Sequence, residues 1–186
     1  MTEEIYLFND TETTGFKKNG QLVQEGQARV CQLALLLTDS RGRSLAKFSS
    51  LIKPDGWTIS EGAQKVHGIT MEDCQRYGMN QKAVVNLYIK FCSIATLRVA
   101  HNDEFDNAMM EIEQEYASPI TEKINTPSFC TMKRNTHINP AGKWPKLEAT
   151  LQHYTGRSLG DTAHDAMFDA EACRDIFFAM RAKEAA

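Results

Sequence analysis

Apolar and polar residues alternate between two periods along the chain. Glu3 to Asn9 carries β-prone Ile5, Tyr6 and Phe8 and predicts a strand, which Thr13-Thr14-Gly15 ends. A polar stretch with Gly20 and Gly26 then predicts a loop over Lys17–Gln27. Cys31 to Thr38 is nearly continuous in apolar residues, as expected of a strand buried on both faces. Asp39-Ser40-Arg41-Gly42 reads as a turn and Leu45–Ile52 as a third strand, so the first part is expected to be a meander. Helical spacing appears over Ser60–Val66, Met71–Tyr77 and, at greater length, Gln81–Thr96. A short strand over Leu97–Ala100, a helix from Glu104 to Tyr116 and a last strand over Ser128–Met132 come next. Pro145 suits the first turn of a helix through Tyr154. The final helix is expected from Thr162-Ala163 to Ala182. A strand meander followed by strand–helix alternation predicts an α/β fold with a central mixed five-stranded sheet flanked by helices.

Composition narrows the class without naming it. The chain has 186 residues, 42% hydrophobic and 24% charged. That predicts a single globular domain over residues 1–186 and excludes disorder as the main state. The longest aliphatic run, Leu33–Leu37, is too short for a membrane span, and the acidic start MTEEIYLFND is no secretory signal. Five scattered cysteines, never in CxxC spacing, argue against a disulfide framework or a thiolate zinc site. A cytoplasmic location is the expectation. A net charge of −3 disfavours a purely electrostatic nucleic-acid binder, unless bound divalent cations offset clustered acids.

Such acids stand where a core should be. Residues two apart on a strand point to one side, so Asp10 and Glu12 project together from the end of an apolar strand. A solvated strand end would show the same triplet. Asp106 follows Ala100-His101-Asn102 at the margin of the helical stripe Phe105, Met109, Ile112 and Tyr116; alone it reads equally as a first-turn acid favoured by the helix dipole. Asp103 and Glu104 read as capping residues. Asp169 lies on the core line of the last helix, four residues before Cys173 and with Ile176 and Met180. An Asp there must be paired, protonated or bound to a metal. Like charges gathered this way are tolerable around cations, and hard oxygen donors select Mg²⁺ or Mn²⁺. Carboxylates around two such ions are the machinery of phosphodiester hydrolysis.

At these residues the chain resembles the DEDDh, DnaQ-like 3′→5′ exonucleases. Phe8-Asn9-Asp10-Thr11-Glu12-Thr13-Thr14-Gly15 resembles the family's first motif, and Ala100-His101-Asn102 with Phe105-Asp106 its second. His164 and Asp169 stand as its third, and Val66-His67-Gly68-Ile69-Thr70 matches a segment often found before the second. The motifs are in order across nearly the whole chain. Asn9, where relatives carry an apolar residue, and Cys130-Thr131, where many carry Asp-Thr, depart from the pattern.

The resemblance implies a ribonuclease H-like fold and two Mg²⁺ or Mn²⁺ ions held by Asp10, Glu12, Asp106 and Asp169, with His164 as general base. It implies a 3′-terminal nucleotide bound by Thr13, Thr14, Gly15 and Phe16, with Phe16 and Ile69 as apolar wedges and His67 and Asn102 as contacts. The expected substrate is nucleic acid with a free 3′ end, single-stranded or frayed DNA first and RNA second. No membrane or partner protein is implied, and the short C-terminus after the last helix favours a free-standing enzyme over a proofreading module. A basic stretch, Lys123, Lys133, Arg134, Lys143 and Lys146 with Trp144, is either a phosphate track or a solvated loop.

Overall fold

The computed structural model describes residues 4–117, 124–139 and 141–184. Five strands form one sheet: β1 (Ile5–Thr13), β2 (Val30–Asp39), β3 (Ser44–Leu51), β4 (Leu97–Ala100) and β5 (Ser128–Cys130). Their spatial order is β3-β2-β1-β4-β5. β1, β2 and β3 pair antiparallel, whereas β4 and β5 join β1's other edge in parallel. The sheet is therefore mixed, as the meander followed by strand–helix alternation predicts. Helices α1 (Glu61–His67), α2 (Met71–Tyr77), α3 (Gln81–Ile94) and α4 (Asp103–Ala117) come after the meander in the chain. The short α5 (Thr131–Arg134), α6 (Leu147–Thr155) and the long α7 (Ala166–Glu184) complete the described α-helices.

β1 divides the core by parity. Leu7 packs on one face with Leu33, Leu35, Val84, Tyr88, Met109 and Ile112. Tyr6 and Phe8 pack on the other with Ala34, Leu36, Ala170, Cys173 and Phe177. Continuing that parity along the strand carries Asp10 and Glu12 toward the α7 side. Helix entry is set locally: Ser60 caps α1, Thr70 and Asp73 form a capping box on α2, and Asn80 caps α3.

Several boundaries differ from the sequence-based ones. β1 runs on to Thr13 because β2 supplies partners, Ala34 for Asp10, Leu33 for Thr11 and Gln32 for Glu12, so pairing overrides the weak strand preference of Asp and Glu. The expected strand start at Glu3 lies outside the described residues. β5 stops at Cys130, since Thr131 begins a helical turn. α6 starts at Leu147, after Pro145. Gly160–Thr162 is a separate 3₁₀ turn, and α7 begins only at Ala166. The delay arises at His164, whose φ of 67° is incompatible with a continuing right-handed helix.

Candidate active site

Three separate elements deliver the acids. Asp10 and Glu12 come from β1, Asp106 from the first turn of α4 and Asp169 from the first turn of α7. Glu12 is 8% exposed, Asp106 3% and Asp169 8%. Among the described residues, no Lys or Arg forms an ion pair with any of the four; the ion pairs lie elsewhere. One oxygen each of Glu12 and Asp169 and one ring nitrogen of His164 lie within 4.8 Å of one another. Asp106 is reached from below: Thr11 Oγ1 donates to its Oδ1 at 2.7 Å. His164 is exposed and in the left-handed region, and its backbone N–H donates to Asp169 Oδ2 at 3.3 Å.

The electrostatics are those of an uncompensated anion cluster. Burial first, then the charges of Asp106, Asp169, Glu12 and Asp165, hold the Asp10 carboxyl well above the usual carboxylate range. Burial, with smaller contributions from Asp169, Asp106 and Asp165, pushes Glu12 up to about 8. Burial raises Asp106 to about 7 against the lowering effect of the Thr11 hydrogen bond. Burial raises Asp169 to about 6, opposed by His164.

The residues fit hard divalent cations. Asp169 Oδ1 is buried and has no hydrogen-bond partner among the described residues, a costly state for a carboxylate unless something cationic meets it. The donor atoms that come together, a carboxylate oxygen each from Glu12 and Asp169 and a ring nitrogen of His164, are a set that a divalent metal ion accepts.

A cavity of about 1170 Å³ adjoins the acids. Asp10, Glu12, Asp169, His164, Thr13, Thr14, Gly15, Phe16, His67 and Asn102 line it. Asp106 does not line the cavity itself but is hydrogen-bonded to Thr11, which does. Ile69 packs against the core instead, and the apolar residue of that segment on the cavity wall is Val66, more than half exposed. Phe16, 90% exposed, stands at the opening. The turn is already engaged: Thr14 N–H donates to the Arg29 carbonyl at 2.8 Å, and Thr13 Oγ1 to the Gly15 carbonyl at 2.8 Å. His67 has both ring nitrogens occupied. Nδ1 accepts from Ile69 N–H at 3.0 Å, so Nε2 carries the proton and donates to the Thr13 carbonyl at 3.2 Å. Burial lowers the His67 pKa, which keeps it neutral. Asn102 takes a left-handed φ of 81°, a conformation that asparagine tolerates.

The sequence pattern did not reveal all of this site. Asp165 contributes to the anionic field and caps α7 through Met167 N–H at 3.0 Å. Trp57 and Arg29 line the cavity, and Glu113 is fully buried on α4. Glu113 carried the same signal as Asp169, an acid within an apolar helical stripe. In the basic stretch, Lys123 lies outside the described residues, Lys133 pairs with Glu104, and Trp144 is exposed with Lys133 5.8 Å from its ring centre.

The chain is similar to known proteins in sequence and in fold. The family model described as Exonuclease (RNase_T) matches residues 7–177. DNA polymerase III subunit epsilon of Pasteurella multocida (strain Pm70) is 30% identical over 183 residues, 96% of this chain and 68% of that protein. The subunit of the same name from Escherichia coli (strain K12) is 28% identical, covering 97% and 72%. E. coli exonuclease I solved with a 5cy-dT13 oligonucleotide superposes with a TM-score of 0.78 at 18% identity, over 99% of this chain and 42% of that one. Its complex with a dA16 oligonucleotide gives 0.78 at 20% identity, over 98% and 42%. This chain thus spans less than half of the exonuclease I chains, and at these identities the likeness carries the ribonuclease H-like fold. Taken with the ordered motifs and the family match over most of its length, the chain belongs to the RNase_T family of DnaQ-like DEDDh 3′→5′ exonucleases.

Proposed function

We propose that the chain removes nucleoside monophosphates from the 3′ end of DNA with the help of two divalent ions, Mg²⁺ or Mn²⁺. The observation that carries this reading is the buried carboxylate cluster, unpaired with any described cation and opening onto a cavity that a terminal nucleotide can enter. Asp10, Glu12 and Asp169 would hold one ion, and Asp10 and Asp106 the other. Bound there, such ions supply charge neutralisation and acidify an attacking water. The chain's own residues do the rest. His164 accepts the water's proton, a role suited to an exposed imidazole beside Glu12 and Asp169. The turn from Thr13 to Phe16 encloses the terminal nucleotide, with Phe16 and Val66 as apolar surfaces against its base. His67 holds the turn through the Thr13 carbonyl, and Asn102 borders the same space.

DNA is favoured because the sequence relatives are named as DNA polymerase subunits and the solved neighbours hold deoxyoligonucleotides. Those subunit names also widen the sequence-based expectation of no partner protein. A polymerase-associated proofreading module is the second reading, and 3′→5′ trimming of RNA the third. Digestion of labelled DNA and RNA strands, linear with either end blocked and circular, separates them. Linear DNA with a free 3′-hydroxyl should yield mononucleotides in Mg²⁺ or Mn²⁺ and nothing in EDTA. Cutting of circles, or equal cutting in EDTA, would refute the proposal.

A further inference from the structure

We propose that Arg29 and Glu113 are a positioning pair that sets the angle of the Thr13–Phe16 turn, and with it the enzyme's insistence on a 3′-hydroxyl end. The inference rests on the proposed exonuclease reading and deepens it.

The pairing of β1 with β2 breaks at one place. Glu12 faces Gln32, but Thr13 faces Val30, so Cys31 is an extra residue in β2. Such a bulge bends a strand pair and re-aims the residues beyond it. Here those residues are Thr13, Thr14, Gly15 and Phe16. A bulge also upsets the ladder of backbone hydrogen bonds, and α4 supplies a substitute. Glu113 Oε1 accepts the Val30 N–H at 2.9 Å and Arg29 Nε at 2.8 Å. Oε2 accepts an Arg29 terminal nitrogen at 2.9 Å and Gln81 Nε2 at 2.6 Å. The Arg29 guanidinium also stacks 3.8 Å from the ring centre of Tyr116. Both charges are buried, so the pair is rigid and bidentate rather than a solvated contact.

Arg29 passes this constraint to the turn through its backbone. Its N–H donates to Thr14 Oγ1 at 2.9 Å and its carbonyl accepts the Thr14 N–H at 2.8 Å. On α4, Glu113 lies seven residues after Asp106, two helical turns along the same face and about 10.5 Å away. Asp106 is itself tied to Thr11. The helix is thus fastened to β1 and β2 on both sides of the bulge, once at a proposed metal ligand and once at the turn. Neither Arg29 nor Glu113 needs to touch the reacting atoms.

The test is a ratio, which a partly unfolded preparation does not change. Rates on a deoxyoligonucleotide ending in a 3′-hydroxyl are divided by rates on the same strand ending in a 3′-phosphate, at saturating Mg²⁺. The wild type should strongly prefer the hydroxyl. Glu113→Gln, which keeps shape and one acceptor but leaves Arg29 without its charge partner, should reduce that preference by roughly ten- to a hundredfold. Arg29→Lys, which keeps the charge but not the fork, should give an intermediate ratio and serves if Glu113→Gln is poorly folded. Variants with lower rates on both ends but the wild-type ratio would show that the pair is only structural and overturn the inference. A wild type that degrades linear strands alone but is indifferent to the end group would also overturn the inference, whereas one that cuts circular strands would refute the exonuclease reading on which it rests.

Discussion

Replacing Glu12 by Gln should stabilise the metal-free protein, and the size of the gain should depend on pH. Burial and the acids around it raise the Glu12 carboxyl from 4.5 to about 8 in the folded chain. Below pH 4.5 the group is protonated whether the chain is folded or not, and wild type and variant should differ little. Between there and pH 8 the unfolded chain gives up this proton while the folded chain keeps it. The folded state then binds more protons, so its stability falls as pH rises. Each pH unit across that interval removes ~1.4 kcal/mol, so the penalty at about pH 8 is at most ~5 kcal/mol. Redistribution of protons onto Asp10, Asp106 and Asp169 reduces it, and a gain of roughly 2–4 kcal/mol for Glu12→Gln at about pH 8 is expected. Urea denaturation in EDTA at about pH 5 and about pH 8 measures it. Adding Mg²⁺ should stabilise the wild type, by ~2.7 kcal/mol at about a hundred times its dissociation constant, and the variant less. A variant no more stable than wild type at the higher pH, or a wild type insensitive to pH, would refute the view that Glu12 is held against its own desolvation for the sake of a cation.

Three further outcomes concern single contacts. His164→Asn, chosen because asparagine tolerates the left-handed backbone at this position, should lower kcat by ~10²–10⁴ with little change in metal affinity. Unchanged single-turnover rates would remove His164 from the proton transfer. Thr11→Val deletes the hydrogen bond that lowers the Asp106 pKa, so Asp106 should hold its proton to higher pH and more Mg²⁺ should be needed for half-maximal rate at about pH 7, a defect that shrinks at about pH 9. An identical Mg²⁺ requirement in variant and wild type at both pH values would contradict this. Glu113→Ala strips a buried Arg29 of its partner and should cost ~3–5 kcal/mol in urea denaturation, whereas a cost below ~1 kcal/mol would mean the pair is solvated.

What could be read in advance was whatever the chain states locally. The apolar run of β2 needs no partner to be recognised, because a strand covered on both faces has no polar side to hide. Asp169 could be picked out because its neighbours on the helix, Cys173, Ile176 and Met180, declare that face buried. Asp10 and Glu12 could be paired by strand parity alone. What failed was decided between elements. The strand continues through Asp10 to Thr13 because β2 lies alongside, a fact that the short-range preferences of Asp and Glu oppose. Ile69, expected as a wedge from its place after His67, is partly buried against the core, and Val66 of the same segment lines the cavity. Arg29 and Glu113 are 84 residues apart and meet only when α4 crosses the start of β2. Each alone reads as an ordinary surface charge, and only Glu113's place beside Met109, Ile112 and Tyr116 hinted otherwise.

Asp10 is the centre of the proposed site, since the charges of Glu12, Asp106 and Asp169 all converge on it. The most direct test is the single-turnover hydrolysis of a 5′-labelled single-stranded oligodeoxynucleotide by Asp10→Asn beside wild type, both at saturating Mg²⁺. The wild type should shorten the strand one nucleotide at a time from its 3′ end, and the variant should be slower by ~10³-fold or more while remaining folded, as expected when a preorganised electrostatic group is removed. A folded Asp10→Asn that degrades the strand within about tenfold of the wild-type rate would contradict the central role assigned to this carboxylate cluster.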